Sequence, residues 1–220
     1  MNYTALILAA GKGKRTGLGY NKMFYFLKKY QQTVLEKSTN LFLHDPRCKQ
    51  IIIVTNPHDM HSVVRGNENE KITHVNGGIT RRESVLMGLM AVKEDVVLIH
   101  DGARPWLDEE CVNRLLIAME SEKAAVLAVK LKDIIKRVEN GYVVSTIDRL
   151  DLLNIQTPQA FDTNLILKVY SKADRQNLNI IDDAQALELI YPDVPIKVVD
   201  GSYLNNKITT IDDIKNNKDN

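Results

Sequence analysis

The feature that most constrains this chain is the alternation of short apolar runs with segments of helical period. Apolar runs predict strands at residues 3–8, 50–54, 72–75, 96–100, 124–129, 142–147 and 196–199. Apolar side chains at three- and four-residue spacing predict helices at residues 34–43, 57–64, 81–92 and 109–119. Strands that alternate with helices favour a largely parallel sheet covered on both faces. In such a sheet, ligands bind beyond the carboxyl ends of the strands.

Length and composition favour one globular domain. The chain has 220 residues and is 44% apolar, and no Pro/Gly-rich linker divides it. A globular domain of this size buries enough surface to fold without stabilising disulfides or metal ions. We therefore predict one domain over residues 1–214, with a less regular excursion at 131–157 and a polar, frayed tail at 215–220. Thr80 and Glu83 predict a capping box at the start of the helix over 81–92.

Charge and cysteine content indicate which classes of binding partner and which cellular compartment to expect. Lys and Arg total 29 against 28 Asp and Glu, a net charge of +1, whereas nucleic-acid binders usually carry a clear basic excess. An anionic ligand must then be held by a local cluster of cations. Cys48 and Cys111 are too few for a disulfide framework and favour a reducing compartment. No run approaches the roughly 18 apolar residues of a membrane span, so we expect a cytoplasmic protein without nucleic-acid or membrane partners.

A glycine-rich loop follows the first predicted strand. Its cations are Lys12, Lys14 and Arg15, with Lys22 shortly beyond. Neither familiar phosphate motif fits, because Thr16 occupies the sixth position of a dinucleotide fingerprint and Arg15 stands where a P-loop needs Ser or Thr. Small residues nevertheless let backbone N–H groups approach a phosphate, and cations supply the countercharge. The alternatives are a phosphate-binding loop and a solvated surface turn, and the position after the first strand favours phosphate binding.

Motifs along nearly the whole chain resemble those of one enzyme family. They are Leu8-Ala9-Ala10-Gly11-x-Gly13-x-Arg15 with Lys22, His100-Asp101-Gly102-Ala103-Arg104-Pro105, Gln156-Thr157-Pro158-Gln159-Ala160-Phe161, Asp182-Asp183-Ala184, and Gly201-Ser202-Tyr203-x-Asn205-x-Lys207-Ile208-Thr209-Thr210. Together they resemble the 2-C-methyl-D-erythritol 4-phosphate cytidylyltransferase family, within the sugar-nucleotidyltransferase superfamily. The resemblance implies a single α/β domain with a Rossmann-like nucleotidyltransferase fold, a mostly parallel sheet flanked by helices, and a protruding β-arm that corresponds to residues 131–157.

The resemblance also implies a reaction of the non-mevalonate isoprenoid pathway. CTP and methylerythritol phosphate would give the CDP-alcohol and pyrophosphate, with Mg²⁺ as cofactor and a homodimer as the assembly. The attacking group is a phosphate, which is mostly dianionic at neutral pH because its second pKa is about 6, so no general base is needed. Catalysis needs fixed cations that suppress repulsion between two anions and stabilise charge at the α-phosphate.

The family's functional residues carry over to named positions. Arg15 and Lys22 would stabilise the transition state on the triphosphate. Arg149 and Lys207 would hold the attacking phosphate, with Arg149 reaching the partner's site from the arm. The nucleotide would be bound by Ala9, Ala10, Gly11, Gly13, Gly77, Gly78, Ser84, Asp101 and Ala103. Arg104 and Thr157 would also contact the acceptor, and Asp101 is the candidate metal ligand.

One departure from the family pattern leaves the acceptor open. Ile134 stands where the family usually has a threonine that contacts the acceptor alcohol, and isoleucine can neither donate nor accept a hydrogen bond. The closest alternative is a ribitol 5-phosphate cytidylyltransferase, although the motif at 100–105 favours the methylerythritol phosphate enzyme. A non-catalytic nucleotide sensor would not require the cations, and Thr16 disfavours an NAD-dependent oxidoreductase.

Other polar residues have ordinary structural interpretations. His100 ends a buried strand and is expected to form structural hydrogen bonds rather than act as an acid or base. Trp106 is expected to anchor packing, and His58 and His61 lack a third metal ligand nearby. The pair Asp182-Asp183 suits a helix start or a metal site.

Overall fold

Strands account for much of the chain in the computed structural model, which describes residues 1–11, 16–67 and 69–216. In chain order they are β1 (Tyr3–Leu8), β2 (Phe26–Leu27), β3 (Gln32–Thr33), β4 (Cys48–Thr55), β5 (Ile72–Asn76), β6 (Val96–Asp101), β7 (Ala124–Lys130), β8 (Ile135–Glu139), β9 (Tyr142–Ile147), β10 (Leu153–Asp162) and β11 (Lys197–Asp200). A seven-stranded sheet has the order β11-β7-β10-β6-β1-β4-β5. Within it, β10 runs antiparallel to both of its neighbours and the other pairs are parallel. The predicted mostly parallel sheet is confirmed.

Helices connect the strands and cover the sheet. They are α1 (Val34–His44), α2 (Met60–Gly66), α3 (Arg81–Leu89), α4 (Glu109–Ala118), α5 (Thr163–Arg175), α6 (Asp183–Ile190) and α7 (Ile211–Asn216). The capping box predicted for α3 is confirmed, since Thr80 Oγ1 accepts from the Glu83 amide at 3.1 Å and the Glu83 carboxylate accepts from the Thr80 amide at 3.3 Å. Among the described helices, none combines the length and apolar composition needed to cross a bilayer.

The core lies on both faces of the sheet, as the unbroken apolar runs of its central strands require. One layer packs Phe42 and Leu115 from α1 and α4 against β1 and β4. The other packs Leu89, Phe161 and Tyr170, and these side chains are at most 1% exposed. Each fully buried side chain of this kind stabilises the fold by about 1.5–3 kcal/mol.

The parallel register brings the carboxyl ends of four strands to one edge. Leu8 pairs with both Val54 and Asp101, and Val54 pairs with Val75. The loops that follow β1, β4, β5 and β6 therefore leave the sheet side by side. This is the edge at which the sequence predicts the ligand site.

The β8–β9 hairpin forms a separate two-stranded sheet and provides the predicted β-arm. Its residues are mostly exposed, with Tyr142 at 79%. The predicted excursion 131–157 overlaps β10 at its carboxyl end, because Leu153 pairs with Lys130 in the main sheet. The strand predicted at 142–147 is confirmed, in this hairpin rather than in the central sheet.

Two predicted helix boundaries are wrong for local reasons. The helix predicted at 57–64 begins at Met60, because the Asn56 side chain accepts from the Asp59 amide at 2.9 Å and holds a turn there. The helix predicted at 81–92 ends at Leu89, where bonds from Ala91 to Gly88 (3.0 Å) and from Val92 to Leu89 (3.2 Å) tighten the last turn. The last predicted strand, 196–199, is shifted by one residue to Lys197–Asp200.

Candidate active site

The loop after β1 lies against the loop after β5. The Ala9 amide donates to Val54 O at 2.7 Å, which continues the β1–β4 ladder past the end of the strand. A Cβ on Gly77 would lie 3.0 Å from the Ala10 Cβ, so the two loops are in close contact. Ala9, Ala10 and Gly11, predicted to bind the nucleotide, are thus placed at the carboxyl edge. Gly13 and Arg15 lie outside the described residues.

Lys22 begins a short 3-10 turn, Lys22–Phe24, that Asn21 caps. The Asn21 side chain accepts from the Met23 amide at 3.2 Å and donates to Ala9 O at 3.2 Å, and thereby joins the turn to the end of β1. The Lys22 side chain is 9% exposed, and its Nζ donates to Ile208 O at 2.5 Å. A lysine this deeply buried is held in place, as a preorganised catalytic cation must be. Asn21 was not among the predicted site residues.

Asp101 ends β6 and is the centre of a charged cluster. Its Oδ2 lies 2.7 Å from Lys207 Nζ and 3.7 Å from Arg104 Nε. Burial alone would raise the pKa of the Asp101 carboxyl, but Lys207, Arg81 and Arg104 outweigh it and lower the pKa to about 2. Asp101 is therefore ionised throughout the physiological range. The cluster brings three predicted site residues, Asp101, Arg104 and Lys207, together.

A chain of buried hydrogen bonds holds the backbone of Asp101 in place. Thr157 Oγ1 accepts from the Asp101 amide at 2.9 Å and lies 3.1 Å from His100 Nδ1, while His100 Nε2 lies 3.2 Å from Arg104 O. Burial lowers the pKa of His100 to about 4, so the ring is neutral at pH 7. The carbonyl of Arg104 then requires the proton on Nε2, and Nδ1 accepts from the Thr157 hydroxyl. This confirms His100 as a structural hydrogen-bonding residue.

The chain segment 205–208 is fixed at several points. Asn205 is fully buried, its Nδ2 donates to Thr157 O at 2.8 Å, and its carbonyl accepts from Arg104 Nη1 at 2.7 Å. The Ile208 amide donates to Ala103 O at 2.8 Å. Lys207 is thus held beside Asp101 by the residues that flank it. Asn205 lies within one of the family motifs, but no functional role was predicted for it.

The segment 77–84, which carries the predicted nucleotide-binding residues Gly77, Gly78 and Ser84, is held in shape by its own hydrogen bonds. Ser84 Oγ accepts from the Gly78 amide at 3.1 Å and donates to Thr80 O at 2.9 Å. A Cβ on Gly77 would lie 2.8 Å from Ser84 Oγ and 3.3 Å from Thr55 O, so this position excludes larger residues. The Ser84 hydroxyl holds the loop in shape, and its remaining capacity toward a base is one acceptor lone pair.

A buried ion pair that the sequence analysis did not predict joins this loop to α6. Arg81 Nη1 and Nη2 donate to the two Asp183 oxygens at 2.9 and 2.7 Å, and Tyr170 OH donates to Asp183 at 2.5 Å. Asp183 is fully buried. Burial lowers the pKa of Arg81, but the Asp183 charge outweighs it, and the net shift is upward. The partners are 102 residues apart in the sequence, so no local pattern could indicate the pair.

Arg149 lies on the exposed segment that leads from β9 to β10. Its guanidinium donates to Lys132 O within the arm. Within the described parts of the chain, no group of three His, Cys, Asp or Glu side chains is placed to hold a metal ion. Asp182 caps α6 by accepting from the Gln185 amide at 2.9 Å, which favours the helix-start interpretation of the Asp182-Asp183 pair.

The described residues of the site can neutralise anions, and none of them is arranged as a protein nucleophile. Lys22 and Lys207 present ammonium groups at one edge, and Asp101 is ionised beside them. The neutral His100 is enclosed by its hydrogen bonds rather than poised as a base. Such a site suits transfer between two phosphates, in which the substrate supplies the nucleophile.

A family model matches this chain over nearly its whole length. The model describes 2-C-methyl-D-erythritol 4-phosphate cytidylyltransferase and matches residues 3–218. Proteins of that name from Geobacillus kaustophilus and Halalkalibacterium halodurans are 38% and 39% identical, and each alignment covers 97% of this chain and 94% of the relative.

Solved structures agree with the sequence comparison. A 4-diphosphocytidyl-2C-methyl-D-erythritol synthase from Anaerococcus prevotii superposes with a TM-score of 0.83 at 33% identity, covering 97% of this chain and 93% of the other. The Francisella tularensis 2-C-methyl-D-erythritol 4-phosphate cytidylyltransferase gives 0.83 at 30% identity and covers 99% of both chains.

Proposed function

The chain belongs to the 2-C-methyl-D-erythritol 4-phosphate cytidylyltransferase family, and from that premise we propose that it joins CMP from CTP to the phosphate of 2-C-methyl-D-erythritol 4-phosphate. The observation that carries the proposal is the gathering of Lys22, Asp101 and Lys207 at the carboxyl edge of the sheet. These are the charged groups that this reaction needs, and they lie where an α/β sheet binds nucleotides.

The reaction is a displacement at the α-phosphorus of CTP. An oxygen of the acceptor phosphate forms the new P–O bond, the bond between the α- and β-phosphates breaks, and pyrophosphate leaves with the electron pair. No proton moves in this step, so the proposed reaction needs no general base. Lys22 stabilises the negative charge that builds up on the phosphates.

Lys207 has the task of placing the acceptor phosphate. Its ammonium group rests on Asp101 at 2.7 Å and is 38% exposed, so an incoming phosphate dianion can compete for it. Exchange of one anionic partner for another keeps the lysine paired throughout, which limits the desolvation cost of binding. Placement of this kind contributes several kcal/mol when the reacting atoms are aligned.

Asp101 is the residue that would hold Mg²⁺. Its low pKa keeps the carboxylate ionised, and it lies beside the cations proposed to bind phosphate. Magnesium in phosphoryl-transfer sites often takes one or two carboxylates, with substrate phosphates and waters completing its shell, so a single carboxylate fits. When bound, the ion would neutralise charge on the triphosphate.

The proposed assembly is a homodimer formed through the arm. Apolar side chains on and beside the hairpin are exposed, including Tyr142 (79%), Val143 (63%), Val144 (55%) and Leu150 (85%). A cluster of this kind is a preferred surface for association. Arg149 lies next to Leu150, so association through this surface would bring the Arg149 of one subunit toward the site of its partner. Cys48 and Cys111 are buried and free, which supports the predicted cytoplasmic location.

A panel of acceptors tests the proposal. Pyrophosphate release from CTP is measured with 2-C-methyl-D-erythritol 4-phosphate, ribitol 5-phosphate and no acceptor, and the first acceptor is then tested with UTP and ATP. We expect turnover that requires methylerythritol phosphate and prefers CTP. Turnover with ribitol 5-phosphate alone would establish the alternative, for which the exposed Ile134 in the arm leaves room.

A further inference from the structure

Two glutamines of one short segment make contacts that the proposed reaction does not use directly. Gln156 and Gln159 stand on either side of Thr157 and Pro158 in β10 and are 5% and 1% exposed. The register of β10 against β7 shifts between Ile155 and Gln159. A bulge of this kind re-aims side chains beside a site, and here the two amides bond to different parts of the molecule.

Gln156 holds the loop that carries Lys207. Its Nε2 donates to Ser202 O at 2.9 Å, and its Oε1 accepts from the Ser202 amide at 3.2 Å. The Asn205 amide also donates to Ser202 O, at 3.0 Å, and Lys207 follows two residues later. A Cβ on Gly201 would lie 2.4 Å from Gln156 Oε1, so the glutamine and the glycine fit each other.

Gln159 holds the start of α6. Its Nε2 donates to Asp182 Oδ2 at 3.0 Å, and its Oε1 accepts from the Ala184 amide at 2.8 Å. Asp183, between these two contacts, forms the buried pair with Arg81 at the start of α3. Gln159 is therefore connected, through α6, to the segment 77–84 that carries the predicted nucleotide-binding residues Gly77, Gly78 and Ser84.

We infer that Gln156 and Gln159 are positioning residues with separate tasks, Gln156 for Lys207, which would place the acceptor phosphate, and Gln159 for the nucleotide-binding segment 77–84. The inference rests on the proposed function. Gln156 bonds to the Ser202 backbone through both its donor and its acceptor, and Gln159 bonds to the Asp182 carboxylate and the Ala184 amide, so each buried amide fixes the segment that it contacts. Gln156 bonds to the loop that carries Lys207, and Gln159 is connected to the nucleotide-binding segment through α6 and the Arg81–Asp183 pair, so removal of one amide should affect one substrate.

The test compares Gln156→Ala with Gln159→Ala in steady-state kinetics on both substrates. Gln156→Ala should raise the KM for methylerythritol phosphate about tenfold and leave the KM for CTP within about twofold; Gln159→Ala should do the reverse. Titration calorimetry with CTP alone should show weaker binding by Gln159→Ala and unchanged binding by Gln156→Ala.

Matched variants separate positioning from general loss of stability. Gln50→Ala is the control, because Gln50 is also buried (5%) and bonds to Ala91 O at 3.0 Å, but it lies near the start of β4, away from the carboxyl edge. It should lower the unfolding temperature without separating the two KM values. If a glutamine variant does not fold, two other variants test the same connections. Gly201→Ala would crowd Gln156 Oε1 and should affect the KM for methylerythritol phosphate. Tyr170→Phe removes a hydrogen bond to Asp183 and should affect the KM for CTP.

Equal changes of both KM values in Gln156→Ala and Gln159→Ala, or no change in either, would overturn the inference. Failure of the wild-type protein to turn over methylerythritol phosphate would instead overturn the proposed function. In that case the calorimetric comparison still decides the Gln159 connection, because CTP binding does not depend on the acceptor.

Discussion

Among the described side chains, Lys22 is the one on which the proposed mechanism depends most. It is buried, its turn is capped by Asn21, and its ammonium group is 2.5 Å from Ile208 O. We expect Lys22→Met to lower kcat by about 100- to 1000-fold, the cost of removing one preorganised charge partner from a transition state. Pyrophosphate-release kinetics measure the effect, and Lys28→Met, an exposed lysine on the same segment, is the control. An unchanged kcat would remove Lys22 from the mechanism.

We expect His100 to make the stability of the fold sensitive to acid. Burial lowers the pKa of the ring from 6.5 to about 4, so the unfolded chain binds this proton more readily than the folded one. Stability from the neutral ring is complete above pH 6.5 and falls as the pH drops toward 4, by about 3 kcal/mol at roughly 1.4 kcal/mol per pKa unit.

Denaturant unfolding between pH 4 and pH 7.5 checks this titration. His100→Asn removes the ionisable ring, so its free energy of unfolding should vary less with pH than that of the wild type. His74, whose pKa burial also lowers, leaves some dependence in both proteins. Equal slopes for the two proteins would contradict the assignment of a neutral, buried His100.

At the scale of elements, the loop before α3 is built around a glycine. A Cβ at Gly77 would come within 2.8 Å of Ser84 Oγ and 3.3 Å of Thr55 O. Gly77→Ala should therefore displace the loop, destabilise the protein by about 1–3 kcal/mol and raise the KM for CTP more than that for the acceptor.

Gly66→Ala is the matched control for that substitution. A Cβ there would meet Glu36 Oε1 at an ordinary 3.8 Å, and the residue ends α2. The control should leave the KM for CTP unchanged. A Gly77→Ala variant with wild-type stability and KM would show that the loop tolerates a side chain and does not approach the base closely.

Elements were predictable where the local pattern decides them. The strands from β1 to β7 in the sheet and the capping box of α3 follow from apolar runs and from Thr80 and Glu83. β10 was not predicted, because it contains Pro158 and buried polar residues whose hydrogen bonds come from distant parts of the chain. α5 was open to prediction, since Ile166, Val169 and Ala173 recur at helical spacing, and the hairpin strand β8 is too polar to signal its pairing.

Site residues were predictable where they belong to a motif with a recognisable chemical role. Lys22, Asp101 and Lys207 were named from motifs, and the structure brings them together. The contacts that position these residues were not predicted, for a physical reason. The contacts of Asn205 with Thr157 and of Arg81 with Asp183 join residues 48 and 102 positions apart, and only the folded sheet places them side by side. Arg15 and Gly13 lie outside the described residues, so their predicted roles stay predictions.

At the scale of the whole molecule, the arm should control assembly and activity together. A Val144→Lys, Leu150→Lys double variant places charge on the exposed apolar surface next to Arg149. In sedimentation velocity, we expect the wild type to be a dimer and the variant a monomer whose turnover falls with the loss of the partner's Arg149. Glu139→Lys, which replaces one exposed charge of the hairpin with another, should remain a dimer. A monomeric wild type with full activity would exclude the assembly.

In the proposed mechanism, fixed cations hold two polyanions together while the substrate's own phosphate attacks. A crystal structure of the protein with CTP and methylerythritol phosphate in the absence of metal tests this mechanism. We expect Lys22 Nζ within about 3.2 Å of a triphosphate oxygen, and Lys207 Nζ moved from Asp101 to the acceptor phosphate. Bound substrates with both ammonium groups still on Ile208 O and Asp101, out of reach of any phosphate oxygen, would contradict it.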